Sequence, residues 1–156
     1  MKKTEELHFY NFSLNRQRFK FLTACLRFSK GKIPLLLLST DEWQVTRHLK
    51  YAICNKLKGS CQSISFEEWN DMLIDAIESN RRFDEFCDQM EEYLIINNIE
   101  ELKKRESGQL FFFAFLEKRK RKNRHTLLIS EETCINMEQW MTPSLMEYLK
   151  DNKIVE

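Results

Sequence analysis

The chain has 156 residues, the size of about one domain, and its 25 Lys and Arg residues nearly balance 24 Asp and Glu residues, which leaves a formal net charge of +1. This balance neither favours nor excludes a nucleic-acid partner, so the distribution of the charges has to decide that point. The N-terminus lacks the apolar stretch of a signal peptide, and the longest apolar runs, 33–38 and 110–116, are too short to span a bilayer. We therefore expect a cytoplasmic domain without a membrane segment.

The five cysteines are odd in number and scattered, and no two of them form a Cys-x-x-Cys pair. The three histidines are isolated from one another in the sequence. This pattern predicts no metal site, no disulfide framework and no catalytic grouping, and it fits a reducing compartment.

The first half of the chain alternates helix with strand. Residues 1–12 are predicted to form an N-terminal arm, and residues 14–29 form a helix whose buried side is expected to carry Phe19, Leu22 and Leu26. A buried strand follows at 33–38. A second helix is predicted from Ser39 to about Leu57, and Ser39 and Glu42 have the spacing of a capping box at its start.

The second half continues the alternation. The helix at 66–79 is expected to bury Ile74 and Ile77 together with Phe66, Trp69 and Leu73. The other predicted elements are strands at 61–65, 93–97, 126–130 and 153–155 and helices at 82–90, 107–122 and 141–150. Strands that alternate with helices predict an α/β fold with a doubly wound parallel sheet, and no linker divides the chain.

Several blocks, in the correct order, resemble the nucleotide-binding AAA+ domain of the bacterial replication initiator DnaA and its relatives Hda and the DnaC/DnaI loaders. The blocks are Ile33-Pro34-Leu35-Leu36-Leu37, His48-Leu49-Lys50-Tyr51-Ala52-Ile53, Ser65-Phe66-Glu67-Glu68-Trp69 with 72–77, Phe83-Asp84-Glu85-Phe86, 93–102, and Leu128-Ile129-Ser130-Glu131.

The resemblance implies a three-layer αβα base domain over residues 1–156, with a five-stranded parallel sheet in the order 5-1-4-3-2. The first and fourth strands are then adjacent near the centre of the sheet. The chain ends where the helical lid of the family would begin, so we expect the lid and the DNA-reading domain to be missing.

The segment that matches the phosphate-binding loop, Walker A, has lost the residues that this chemistry requires. Such a loop uses glycines to curl backbone N–H groups around phosphate and a lysine to reach its oxygens. No glycine or lysine lies between Ser39 and Arg47. Thr46 falls on the lysine position and Arg47 on the threonine position of the family. The degenerate Walker A region comprises Ser39, Thr40, Asp41, Glu42, Thr46 and Arg47, and its two acids would repel phosphate.

The other nucleotide-site motifs are altered too. Asn97 and Asn98 follow a strand of consecutive apolar residues, where the family has two Walker B acids, and an amide neither accepts a proton near neutral pH nor carries a charge for Mg²⁺. Ser130 and Glu131 match sensor I but are also compatible with a turn at the strand end. The segment 144–149, which matches the arginine-finger helix, contains no arginine.

Two basic clusters are candidates for nucleic-acid contact. The denser one follows the Phe-rich helix, where cations also complement the helix C-terminus. Arg81 and Arg82 lie in the region that resembles the initiator-specific insertion. The denser cluster consists of Lys118, Arg119, Lys120, Arg121, Lys122 and Arg124.

The sequence therefore predicts a catalytically inactive DnaA-like domain, a pseudo-ATPase without cofactor or metal. We expect it to act as a binding module in replication initiation or its regulation, by contact with DnaA or another replication protein. Trp43 is the candidate partner-binding residue, and packing in the core is the alternative for it. The alternative function is an accessory protein that binds nucleic acid weakly, without sequence specificity, through residues 118–124.

Overall fold

The computed structural model describes residues 3–156, so Met1 and Lys2 of the predicted arm lie outside the described residues. A five-stranded parallel sheet lies between two layers of helices. The strands are β1 Leu35–Ser39, β2 Cys61–Ser65, β3 Tyr93–Asn97, β4 His125–Ser130 and β5 Lys153–Val155, and the α-helices are α1 Arg16–Ser29, α2 Trp43–Lys56, α3 Phe66–Glu78, α4 Phe83–Asp88, α5 Gly108–Arg121, α6 Cys134–Trp140 and α7 Pro143–Asp151.

The strand order β2-β3-β4-β1-β5 confirms the expected order, because 5-1-4-3-2 is the same sheet read from its other edge. All four neighbouring pairs are parallel. β1 and β4 are adjacent near the centre, and their last residues, Ser39 and Ser130, are in register. The ends of these two strands therefore meet at one edge of the sheet, and no helical lid is present within residues 3–156.

The two faces of the sheet carry separate hydrophobic clusters. Leu36 and Leu38 of β1 pack with α1, α2 and the arm, whereas Leu35 and Leu37 pack with the helices that follow β2. Successive side chains of a strand point to opposite faces, so an uninterrupted leucine run is what a strand covered on both sides requires. We call the two helical layers the α1–α2 layer and the α3–α7 layer.

The arm packs on α2 through polar contacts as well as apolar ones. Asn55 Nδ2 donates to the carbonyl oxygens of Thr4 at 2.9 Å and Leu7 at 2.8 Å. His48 Nε2 donates to the carbonyl oxygen of His8 at 2.7 Å. Because these backbone acceptors are satisfied by α2, the arm belongs to the α1–α2 layer.

The predicted buried side of α1 is wrong. Phe19 is 61% exposed, and the helix instead buries Phe21, Ala24, Cys25 and Phe28 against the sheet. α1 has apolar residues on two adjacent stripes, and helical spacing alone does not distinguish which stripe faces the core. Asn15 caps the helix by accepting from the backbone N–H of Arg18, which fixes the first turn at Arg16.

Two other expectations need correction. Ile74 and Ile77 of α3 are exposed, because α3 turns only its Trp69 and Leu73 side toward the core. The sequence also missed α6, a seven-residue helix that is too short to show a clear period. None of the helices in residues 3–156 is long and apolar enough to cross a membrane.

Candidate functional site

A cleft of about 210 Å³ lies where α2 meets the carboxyl ends of β3 and β4. Ligand sites of open α/β sheets commonly lie at this edge, which makes the cleft the candidate site. It brings residues of the three degenerate motifs together, although five of the predicted site residues lie outside its lining: Ser39, Thr40, Asp41, Glu42 and Ser130. The lining residues are Trp43, Thr46, Arg47, Lys50, Tyr51, Asn97, Asn98, Ile129 and Glu131.

The link between β1 and α2 is short and makes its own hydrogen bonds. Only Thr40, Asp41 and Glu42 separate the strand from the helix. Ser39 Oγ donates to the carbonyl oxygen of Glu132 at 2.6 Å, and Thr40 Oγ1 accepts from the backbone N–H of Glu42 at 3.2 Å. The predicted capping box is therefore wrong, because the hydroxyl of Ser39 donates to the turn after β4 and makes no bond to the helix.

The first turns of α2 supply one wall of the cleft. Trp43 is 48% exposed, so it is not packed in the core. Thr46 Oγ1 donates back to the carbonyl oxygen of Trp43 at 3.2 Å. The Arg47 guanidinium and the Lys50 ammonium lie 5.7 Å and 4.7 Å from the ring centre of Tyr51, within cation–π range. This wall is thus aromatic and cationic.

The opposite wall comes from the end of β3. Asn97 Oδ1 is buried and has no hydrogen-bond partner within residues 3–156. Asn98 is exposed and has a left-handed backbone with φ +58°, a conformation that asparagine tolerates better than most residues. The two amides present polar atoms to the cleft but no charge.

Glu100 is a carboxylate near this edge to which the sequence analysis assigned no role. Burial raises the pKa of its carboxyl group above the ordinary value, and the charge of Glu131 adds to the rise. Hydrogen bonds from the backbone of Glu131 and the hydroxyl of Ser130 oppose the shift without cancelling it. Its position in the sequence, in the first turn after the strand and three residues beyond Asn97, could have identified Glu100 as a candidate site residue.

The sensor I-like residues form a turn at the strand end. Ser130 is buried, and its Oγ accepts from the backbone N–H of Glu132 at 3.0 Å, whereas Glu131 is exposed at the cleft. Glu132 accepts from Lys103 at 2.7 Å and from Trp140 Nε1 at 2.8 Å. Burial acts to raise the pKa of Glu132, but these two hydrogen bonds and the positive charge of Lys103 together outweigh it, so that the pKa lies below its ordinary value. No group of three or more His, Cys, Asp or Glu side chains in the described residues is arranged to hold a metal ion.

The predicted nucleic-acid residues lie on the other side of the sheet, and most have acidic partners. Lys118 pairs with Asp84, Lys122 with Asp88 at 2.6 Å, and Arg121 with Glu117 at 3.4 Å. Lys120 donates to Asn152 at 2.8 Å, and Arg124 to the carbonyl oxygen of Met90. Arg81 pairs with Asp75 at 2.8 Å, and Arg82 with Asp84 at 3.5 Å.

Arg119 does not belong to a surface cluster, so the expectation for this residue is wrong. It is 1% exposed, and its Nε donates to Thr126 Oγ1 at 2.8 Å. Its Nη2 donates to the carbonyl oxygens of Glu92 at 3.0 Å and His125 at 2.9 Å. The guanidinium therefore joins α5 to the starts of β3 and β4, away from solvent.

No protein-family model and no curated protein sequence matches the chain. Its fold is similar to domain III of the Thermotoga maritima replication initiation protein DnaA, with a TM-score of 0.82 at 16% identity, over 96% of this chain and 65% of that one. A structure of the replication initiator DnaA bound to AMPPCP and single-stranded DNA gives a TM-score of 0.78 at 15% identity, over 97% and 49%. DnaI gives a TM-score of 0.72 at 18% identity, over 98% and 92%.

The chain thus spans less than two thirds of the length of these two DnaA structures, but nearly all of its own length matches them. The strand order and the two helical layers are consistent with this likeness. The chain has the fold of the AAA+ base domain that DnaA and DnaI share.

Proposed function

We propose that this chain is a catalytically inactive DnaA-like AAA+ domain, which acts as a binding module in replication initiation or its regulation. It contacts DnaA or another replication protein and uses neither nucleotide nor metal. The likeness of its fold to DnaA and DnaI supports a role in replication, and the residues at the cleft support the loss of catalytic activity.

The main observation that supports a loss of catalytic activity is the short link between β1 and α2. A phosphate-binding loop needs a run of backbone N–H groups that point into a concavity. Three residues without glycine connect the strand to the helix here, and the hydroxyl of Ser39 donates to Glu132. Asp41 and Glu42 place negative charge at the same position, and Glu42 is paired with Arg18 at 3.4 Å.

We propose that Trp43 is the residue of this chain that anchors the partner protein. Aromatic side chains supply much of the binding energy at interface centres, and Trp43 is half exposed beside Arg47, Lys50 and Tyr51. Members of the resembled family assemble head to tail through the face that carries the nucleotide site. A copy of this chain docked by that face offers no arginine from α7, so its expected effect on an initiator filament is inhibitory.

A photo-cross-linking experiment tests the proposal. Trp43 and, in a matched control, Leu110 are each replaced by a photoreactive phenylalanine analogue, and each variant is irradiated with purified DnaA from the same organism. Leu110 is 75% exposed on α5, on the other side of the sheet. We expect a cross-link to DnaA from position 43 and none from position 110.

Two results would count against this function. Equal labelling from both positions would mean that contact with DnaA is not through the cleft. If no replication protein is recovered from cells, and initiation is unchanged when the protein is deleted or overproduced, the proposed role in replication fails.

The alternative, a nucleic-acid-binding accessory protein, has weaker support at residues 118–124. Their cations are largely neutralised by Asp84, Asp88 and Glu117, and an ion-paired lysine has to lose its partner before it binds phosphate. The chain has other cations that lack such partners, and they lie on the opposite layer.

A further inference from the structure

The charges of the chain are divided between its two parts. Residues 1–60 carry 12 Lys and Arg against 4 Asp and Glu, a net charge of +8, and residues 61–156 carry 13 against 20, a net charge of −7. The first part contains the arm, α1, β1 and α2, so its charged side chains belong to the α1–α2 layer. The α1–α2 layer is therefore strongly basic, although the net charge of the whole chain is only +1.

The two layers also differ in how many of their cations pair with a carboxylate. In the α3–α7 layer, eight Lys and Arg residues form ion pairs. In the α1–α2 layer, Arg18 pairs with Glu42. Arg16, Lys20 and Arg27 are exposed, and no carboxylate in residues 3–156 pairs with them. These charges are available to an anionic partner.

Two of these three cations lie at one cleft between α1 and β5. Arg16, Lys20 and Arg27 lie on one exposed stripe of α1 and span about 16 Å of helix. Lys20 and Arg27 line a cleft of about 400 Å³ together with Lys153 of β5. Glu156 is the single acidic residue in this lining, against three basic residues.

The same cleft has an exposed aromatic wall. Phe19 is 61% exposed at its edge, although most phenylalanines of the chain are buried. The floor is apolar and includes Ala24, Ile33 and Val155. An exposed ring beside unpaired cations is the combination with which proteins hold single-stranded nucleic acid, since bases stack on the ring and phosphates contact the cations.

We infer that the α1–β5 cleft binds single-stranded nucleic acid without sequence preference. Lys20, Arg27 and Lys153 contact phosphates, with Arg16 extending the track along α1, and Phe19 stacks on a base. A single strand is favoured over a duplex because only unpaired bases offer a free face to the ring. This inference does not depend on the protein partner proposed above.

The test is fluorescence anisotropy with labelled oligothymidylate and oligouridylate of about 15 nucleotides, titrated at several salt concentrations. The triple variant Lys20→Gln/Arg27→Gln/Lys153→Gln should lose at least about tenfold in affinity at low salt. The slope of log K against log salt should fall by about 2, because each lost phosphate contact removes about 0.7. Phe19→Ala should weaken binding by about fivefold or more without changing the salt slope.

The matched control is Lys118→Gln/Lys120→Gln/Lys122→Gln, which also removes three positive charges but does so from the opposite layer. We expect it to bind as the unaltered protein does, and circular dichroism verifies that all variants are folded. Equal losses from both triple variants would show a response to net charge alone and would overturn the assignment. No binding of either probe at low salt, or binding of polyglutamate as tight as that of the oligonucleotides, would overturn it as well.

Discussion

Glu100 has a half-buried carboxyl group beside the candidate cleft, and its Oε2 has no hydrogen-bond partner within residues 3–156. The folded protein raises its pKa chiefly by burial, so the fold disfavours the ionised form. The stabilising contribution of such a group is complete only below its ordinary pKa of 4.5 and is lost as the pH rises through the higher value of the folded state. Near neutral pH the charge of Glu100 therefore destabilises the domain.

Glu100→Gln should accordingly raise the thermal stability near pH 7. We expect Tm to increase by about 2–4 °C, the shift that about 1 kcal/mol produces in a domain of this size. The gain should disappear near pH 4, where the carboxyl group of the unaltered protein is protonated. Melting curves between pH 4 and pH 8 measure the effect, with the exposed Glu106→Gln as the control. An equal gain at every pH would mean that burial of the charge is not its cause.

At the scale of single elements, α5 is held to the sheet by Arg119. Its guanidinium donates to one hydroxyl and two backbone carbonyls at the starts of β3 and β4. Burial, with a smaller contribution from the charge of Arg124, lowers the pKa of Arg119 to about 10, so the group stays charged at neutral pH. Burial of a cation without a carboxylate partner costs free energy, and three acceptors offset part of that cost here, while Nη1 is buried and has no hydrogen-bond partner within residues 3–156.

Arg119→Met should therefore destabilise the domain by about 3 kcal/mol, because it removes the three hydrogen bonds that join α5 to the starts of β3 and β4. Lys120→Met, the neighbouring exposed position, should change stability by less than about 0.5 kcal/mol. Urea unfolding followed by circular dichroism compares the two. Similar values for both variants would refute the structural role of Arg119.

The elements show what a sequence can and cannot predict. Apolar runs such as 33–38 and 93–96 identify central strands, because only strands covered on both faces tolerate them. The buried side of α1 was not predictable, since Phe19 and Phe21 lie on competing stripes. The acids that neutralise Lys118 and Lys122 are 34 residues away in sequence, so the pairing became visible only in the fold.

The candidate site was predictable to a similar degree. The degenerate motifs located the cleft because they follow three strands whose ends share one edge of the sheet. Lys50 and Tyr51 were not singled out as site residues, although Lys50 is one helical turn from Arg47 and lines the same wall. Their role depends on how α2 is rotated on the sheet, which packing decides.

At the scale of the whole molecule, nucleotide binding would require the ends of β1, β3 and β4 to act together. We expect neither ATP nor ADP to bind measurably in the presence of Mg²⁺, because the three-residue link after β1 contains no glycine or lysine and the end of β3 has no charge for the metal. Asn97→Asp/Asn98→Asp should not create ATP hydrolysis, since the link is unchanged. Isothermal titration calorimetry and a phosphate-release assay measure the two effects. A micromolar affinity for either nucleotide would contradict the expectation.

The separation of charge between the two parts of the chain makes the molecule an electric dipole with almost no net charge. A uniform field hardly moves such a particle but turns it, so a polyanion rotates the α1–α2 layer toward itself before contact. At physiological ionic strength, salt screens the electrostatic attraction beyond roughly 8–10 Å. This screening length is short compared with the thickness of the domain. Orientation is therefore a near-field effect, which acts in the last few ångströms of approach and favours encounters in which α1 arrives first.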